Sequence, residues 1–125
     1  MTPFADLLER AWPIFLEAAR MRRTLTYSEL AGRVGPPLTA RAVHRQLLNP
    51  LSSRCRRWGL PDLPALVVRK GSGIPGSGWF DANDPGDPLE NWGEAVARCF
   101  DHRWPKKPDP RLLIDFEDPA GSNGI

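Results

Sequence analysis

Residues 26–48 read TYSELAGRVGPPLTARAVHRQLL, and this stretch decides the fold. Thr26 and Glu29 have capping-box spacing, in which the hydroxyl accepts from the Glu29 amide and the carboxylate reaches back. The box predicts a helix over about 26–34 that buries Leu30, Ala31 and Val34. Gly35-Pro36-Pro37 stops it. Thr39 then caps a helix over about 39–48. Ala42, Val43 and Leu47 point inward, and Arg41, His44 and Arg45 lie on the opposite face. Two helices joined by a glycine-containing turn make a helix-turn-helix, whose second helix commonly enters a DNA groove.

Upstream, residues 3–21 read as an amphipathic helix, with Thr2 as its cap and Pro3 in the first turn. Pro13 lacks a donor and crowds the preceding turn, so a kink or two short helices are expected there. Downstream, Asn49-Pro50 is expected to end the third helix, and residues 51–58 to form a short one that stops at Gly59. Leu63 to Val68 is a compact apolar run with the character of a strand. Gly71 to Gly78 is a turn, and Trp79-Phe80 returns as a partner strand. A hairpin placed after a helix-turn-helix builds a winged helix. Asp87, Pro88 and Glu90 open a last helix whose stripe is Leu89, Trp92, Val96, Cys99 and Phe100. Trp104-Pro105 ends it, residues 106–110 form a linker, and Arg111 to Phe116 is expected as a terminal strand. The expected fold is a small α+β winged helix, one domain over 1–118 with a loose tail at 119–125.

A chain of 125 residues suits one such domain. Its 41% hydrophobic and 26% charged content excludes a wholly disordered chain. No apolar run approaches a membrane span and no signal pattern opens the chain, which predicts a soluble cytoplasmic protein. Fourteen prolines and eleven glycines predict many turns. Cys55 and Cys99 define neither a disulfide framework nor a zinc pattern. The net charge of +2 conceals a strong asymmetry. Residues 10–70 hold twelve of the seventeen Lys and Arg against three acids, Glu17, Glu29 and Asp62. Residues 71–125 hold five bases and ten acids. Fourteen of the cations are Arg, and an Arg-rich block points to a polyanion or an acidic partner surface.

The segments Thr26-Tyr27-Ser28-Glu29-Leu30-Ala31, Arg41-Ala42-Val43 and Asn49-Pro50 carry a family likeness. Together they resemble the T-Y-x-E-L-A … R-A-V … N-P pattern of the DNA-binding domain of O6-alkylguanine-DNA alkyltransferases and alkyltransferase-like proteins. The resemblance covers about residues 24–50 and extends weakly over 63–80. It implies a third helix in the DNA minor groove, Tyr27 against a phosphate, and Arg41 filling the stack beside a flipped base. A planar guanidinium suits such a gap. The family's alkyl acceptor lies in a Pro-Cys-His-Arg motif, where this chain has Pro64-Ala65-Leu66-Val67. Alkyl transfer by that route is excluded, because alanine supplies no thiolate. The chain also inserts an Arg-rich segment at 51–60 before that strand.

Other chemistry is thin. Arg54, Arg56 and Arg57 surround Cys55 in sequence and are expected to favour its thiolate, but no paired base is visible. Cys99 fits the buried stripe. Asp101-His102 lacks a serine elbow and reads as the exposed end of a helix. Pro61-Asp62 with Arg69-Lys70 is similar to a nuclease metal motif, yet Val68 stands where the second carboxylate belongs. The glycine run has no phosphate-loop pattern. No catalytic residue, cofactor or metal site is expected. The expected function is DNA binding without catalysis. Arg41, His44 and Arg45 face the groove; Tyr27, Arg54, Arg56, Arg57, Arg69 and Lys70 contact the backbone. The rival is a protein-interaction module, an inhibitor or adaptor on the same scaffold. Its basic face then engages an acidic protein, with Trp58 and Trp79 exposed beside Arg54 and Arg57.

Overall fold

The computed structural model describes residues 3–36, 38–74 and 88–113, with the backbone alone at 88–90. The first element, α1 (Phe4–Arg20), is the central helix. Leu8, Ala11, Trp12 and Phe15 at its middle are all at most 1% exposed, so helices pack round a broad apolar face. The expected break at Pro13 is not two helices: α1 runs through it. Pro13 is exposed, so the Glu9 carbonyl that loses its donor faces water and is satisfied there. The cap expected from Thr2 lies outside the described residues. Arg23 donates its amide to the Ala18 carbonyl and Arg22 to Ala19, a Schellman closure with Arg22 at φ 53.

The capping box forms as read. Glu29 N donates to Thr26 Oγ1 and Thr26 N to Glu29 Oε1, both at 3.0 Å. It opens α2 (Tyr27–Val34), which Gly35 ends at φ 91. Leu30, Ala31 and Val34 are buried against the core. Thr39 accepts from Ala42 N at 3.2 Å and opens α3 (Ala40–Val43).

Beyond Val43 the structure departs from expectation. The chain does not stop at Asn49-Pro50. It continues as a π-helical turn, His44–Leu48, directly into α4 (Asn49–Arg57). In a regular helix the Pro50 ring would crowd the Gln46 carbonyl, and its missing amide would leave that carbonyl unpaired. The π turn widens the backbone just before it, with Asn49 N donating to His44 O. Gly59 closes α4 at φ 69, with Leu60 N bonded to Cys55 O at 2.9 Å, so the expected stop at this glycine is where the helix ends.

The apolar run 63–68 is not one strand. Leu63–Leu66 form a 3-10 turn, and only Val67–Val68 are extended, as β2. Pro64 has no amide to give a ladder and its fixed φ suits the turn. Among the described residues β2 pairs with β1 (Leu25–Thr26), and the pair is parallel, Leu25 opposite Val67 and Thr26 opposite Val68. A parallel pair is not the antiparallel hairpin expected of a wing. The return strand at Trp79-Phe80 lies outside the described residues.

The last long helix, α5 (Pro88–Asp101), packs on the 3-10 turn and on α1. Trp92 donates its indole N–H to Ala65 O at 2.8 Å, and Cys99 is fully buried. Trp104 donates to Cys99 O, Trp12 donates to Pro105 O, and the two rings meet edge to face at 5.7 Å. These bonds pin the chain after α5 to α1. The terminal strand expected from Arg111 is instead a 3-10 turn, Pro110–Leu113. Asp109 bonds the Arg111 amide with its carboxylate and the Leu112 amide with its carbonyl, and Leu112 is buried beside α4. The tail expected at 119–125 lies outside the described residues. The described fold is therefore helix-rich α+β, with one small parallel sheet. None of its helices is long and apolar enough to cross a membrane.

Candidate nucleic-acid interface

The helix pair α2–α3 positions the first group of site residues. α3 packs on α2, and Val43 and Leu47 are buried while Arg41 and Arg45 are exposed. His44 is half-buried at the start of the π turn. Among the described residues no carboxylate lies within ion-pair distance of Arg41 or Arg45.

The parallel strand pair supplies a second group. Because β1 and β2 run the same way in register, the residues that follow them leave the sheet at one end. Tyr27 follows Thr26, and Arg69-Lys70 follow Val68. Tyr27 is half-buried, while Arg69 and Lys70 are exposed. A tight turn fixes them: Arg69 N donates to Ile74 O at 2.8 Å and Gly73 N, at φ 71, to Arg69 O at 2.9 Å. Residues separated by some forty positions thus share one edge of the molecule with the start of α2.

The Arg-rich segment of α4 behaves differently. Arg54 is half-buried, donates to Pro50 O at 3.1 Å and lies 4.2 Å over the Phe4 ring. Its stem and charge hold α4 to α1. Arg56 and Arg57 are exposed. Trp58 is half-buried between the guanidiniums of Arg57 and Arg111, each 5.5 Å from its ring. Its indole N–H is buried without a hydrogen-bond partner among the described residues. Trp58 is thus not the exposed anchor that the protein-module reading requires, and Trp79 lies outside the described residues.

The arginines beside Cys55 in sequence do not set the state of its thiol. The side chain is fully buried, and burial pushes its thiol up to about 12. Burial outweighs the charge of Arg56, which pulls the other way. Asp62 is buried too: its carboxylate accepts from Ser52 Oγ at 2.8 Å and its carbonyl from Cys99 Sγ at 3.3 Å. That pairing ties α4 to the 3-10 turn and α5. Among the described residues no three His, Cys, Asp or Glu side chains gather as a metal ion would need.

No protein-family model, curated protein or solved structure matches this chain. One feature escaped the sequence reading. Lys106 and Lys107, read as linker, line a hollow of about 400 Å³ against Trp12, Pro13 and Leu16 of α1. The only sequence signal was the adjacent pair of lysines.

Proposed function

We propose that the chain is a non-catalytic DNA-binding protein of the winged-helix, alkyltransferase-like kind. The observation that carries this reading is the exposed pair Arg41 and Arg45 on the second helix of a helix-turn-helix, with no carboxylate of the described residues beside them. Arg41 and Arg45 enter a groove, and His44 stands beside them. Tyr27, Arg69 and Lys70 hold the phosphate backbone from the sheet end that opens next to α2. Arg56 and Arg57 add charge at longer range, while Arg54 serves α4 itself.

Two facts favour binding over repair. Pro64 to Val67, which stand where the resembled family has its acceptor motif, are buried and carry no nucleophile. The two cysteines are buried, and their thiols are held protonated by burial. The test is fluorescence anisotropy with labelled duplex DNA. Arg41→Ala is expected to weaken binding far more than Arg103→Ala. Equal small effects, or binding of an acidic protein alone, would overturn the reading.

A further inference from the structure

The hollow against α1 is the front of a longer groove. Its apolar floor is Trp12, Pro13 and Leu16, and its rim carries Arg20, Lys106 and Lys107, with Glu9 the one acid. A second hollow of about 260 Å³ shares Leu16 and Arg20 and adds Arg103 and His102 to the rim. Arg20, Arg103, Lys106 and Lys107 are exposed, and among the described residues none has a carboxylate within ion-pair distance. The groove walls are fixed, because the Trp12 and Trp104 bonds fasten the segment after α5 to α1.

The geometry points to this groove as a docking site for an acidic peptide segment of a partner protein, one that seats an aliphatic or aromatic side chain between flanking carboxylates. Charge complementarity selects the flanks: four cations ring the groove. The floor selects the anchor, since an apolar hollow of this size sits at the small end of ligand clefts. A nucleic acid fits it less well. Single strands are gripped by stacking bases on aromatic faces. Trp12 offers no such face, because it is 1% exposed, its N–H is given to Pro105 and its ring abuts Trp104; of the half-buried aromatics in the second hollow, Trp104 already meets the His102 ring at 4.3 Å and Phe100 the Arg22 guanidinium at 5.3 Å. The groove shares no residue with the Arg41–Arg45 or Arg69–Lys70 surfaces, so the chain has room for a protein partner while those surfaces are occupied.

The test is fluorescence anisotropy on the full chain with a short labelled peptide of Asp and Glu flanking adjacent Leu and Phe. A matched peptide carries Ser at both apolar positions, and a labelled oligonucleotide serves as competitor. The Leu-Phe peptide binds saturably, and the Ser peptide at least about tenfold more weakly. Lys106→Glu with Lys107→Glu costs at least about tenfold in peptide affinity. It leaves the circular dichroism unchanged and the Arg41-dependent binding of duplex DNA intact. Pro13→Asp restores a helix amide and places a carboxylate on the floor. It weakens both acidic peptides by charge repulsion, and the Leu-Phe peptide by the larger factor because its anchor also loses the apolar floor. Absence of saturable binding, equal binding of both peptides, or indifference to the charge reversal overturns the proposal. So does displacement of the peptide from the groove by the oligonucleotide or by a second copy of the chain. Loss of Arg41-dependent DNA binding does not touch it.

Discussion

Arg33 and Arg41 lie on neighbouring helices, both exposed, and meet different surroundings. Arg33 on α2 forms a fork with Glu17 of α1, two bonds of 3.1 Å, and Arg23 shares the same carboxylate at 3.2 Å. Arg22 reaches Asp101 on α5 at 3.1 Å. Arg41 on α3 and Arg45 on the π turn that continues it meet no carboxylate of the described residues. The cations counted over residues 10–70 therefore fall into two groups. One closes the fold on itself, and the other stays available to a partner. Exposed ion pairs contribute about 1 kcal/mol or less, so the first group matters more by withdrawing charge from the surface than by stabilising the fold.

This contrast can be broken in solution. Arg41→Ala with Arg45→Ala is expected to lower affinity for duplex DNA by about tenfold or more and to shift unfolding by no more than about 0.5 kcal/mol. Arg33→Ala is expected to leave DNA affinity within about twofold, since its guanidinium is already paired with Glu17. Comparable losses of DNA affinity from both would erase the distinction between the two groups.

The buried thiols sharpen the picture from the alkaline side. Cys55 in the folded chain titrates near 12, above its ordinary value of 9.0. The unfolded chain thus releases its proton first, and stability falls as pH rises from about 9 towards 12. Cys55→Ala should remove part of that slope in urea unfolding. At neutral pH a thiol alkylator should leave the native chain unlabelled, and rapid labelling would contradict the buried site.

Smaller effects follow at the start of α2. Thr26→Ala removes half of the capping box and should cost about 1 kcal/mol in urea unfolding. Because β1 ends at that cap and Tyr27 follows it, DNA affinity should drop with it, though less than for the Arg41 and Arg45 pair. At the acid end, the Arg33 and Arg23 guanidiniums hold the Glu17 carboxyl below its ordinary value of 4.5. A depressed folded value gives stability that is present above the unfolded value and lost as pH falls through the folded one. Arg33→Ala should flatten that acid limb slightly. A limb unchanged by the variant would show that the fork does not persist in solution.

The ends of α2 and the start of α3 were legible because each signal was local. Thr26, Glu29, Gly35 and Thr39 act within a few residues of themselves, and the structure uses each as read. The errors arose where tertiary packing overrode a local stop. Pro50 reads as a terminator, but the π turn before it absorbs the ring and the helix continues. Leu63 to Val68 reads as a strand by composition, yet Pro64 bends most of it into a turn that α5 covers. The end of α1 gave no glycine signal because Arg22 takes the left-handed position. Among site residues, Arg41 and Arg45 were legible from helical spacing. The placing of Arg69 beside Tyr27 was not, since it depends on a parallel pairing that no sequence period announces. The fate of Arg54 and Cys55 was also hidden, because it depends on distant partners: Arg54 lies over Phe4 of α1, and Cys55 is buried where α4 packs on the 3-10 turns.

The proposed DNA binding requires Arg41, Arg45 and the sheet end to neutralise phosphates. The direct measurement is duplex DNA affinity against salt concentration, for the wild-type chain and for Arg41→Ala with Arg45→Ala. With the logarithm of affinity falling by about 0.9 per phosphate neutralised, several contacts predict a wild-type slope steeper than about −2, and a shallower one for the variant. A flat wild-type line, or identical slopes for the two proteins, would contradict it.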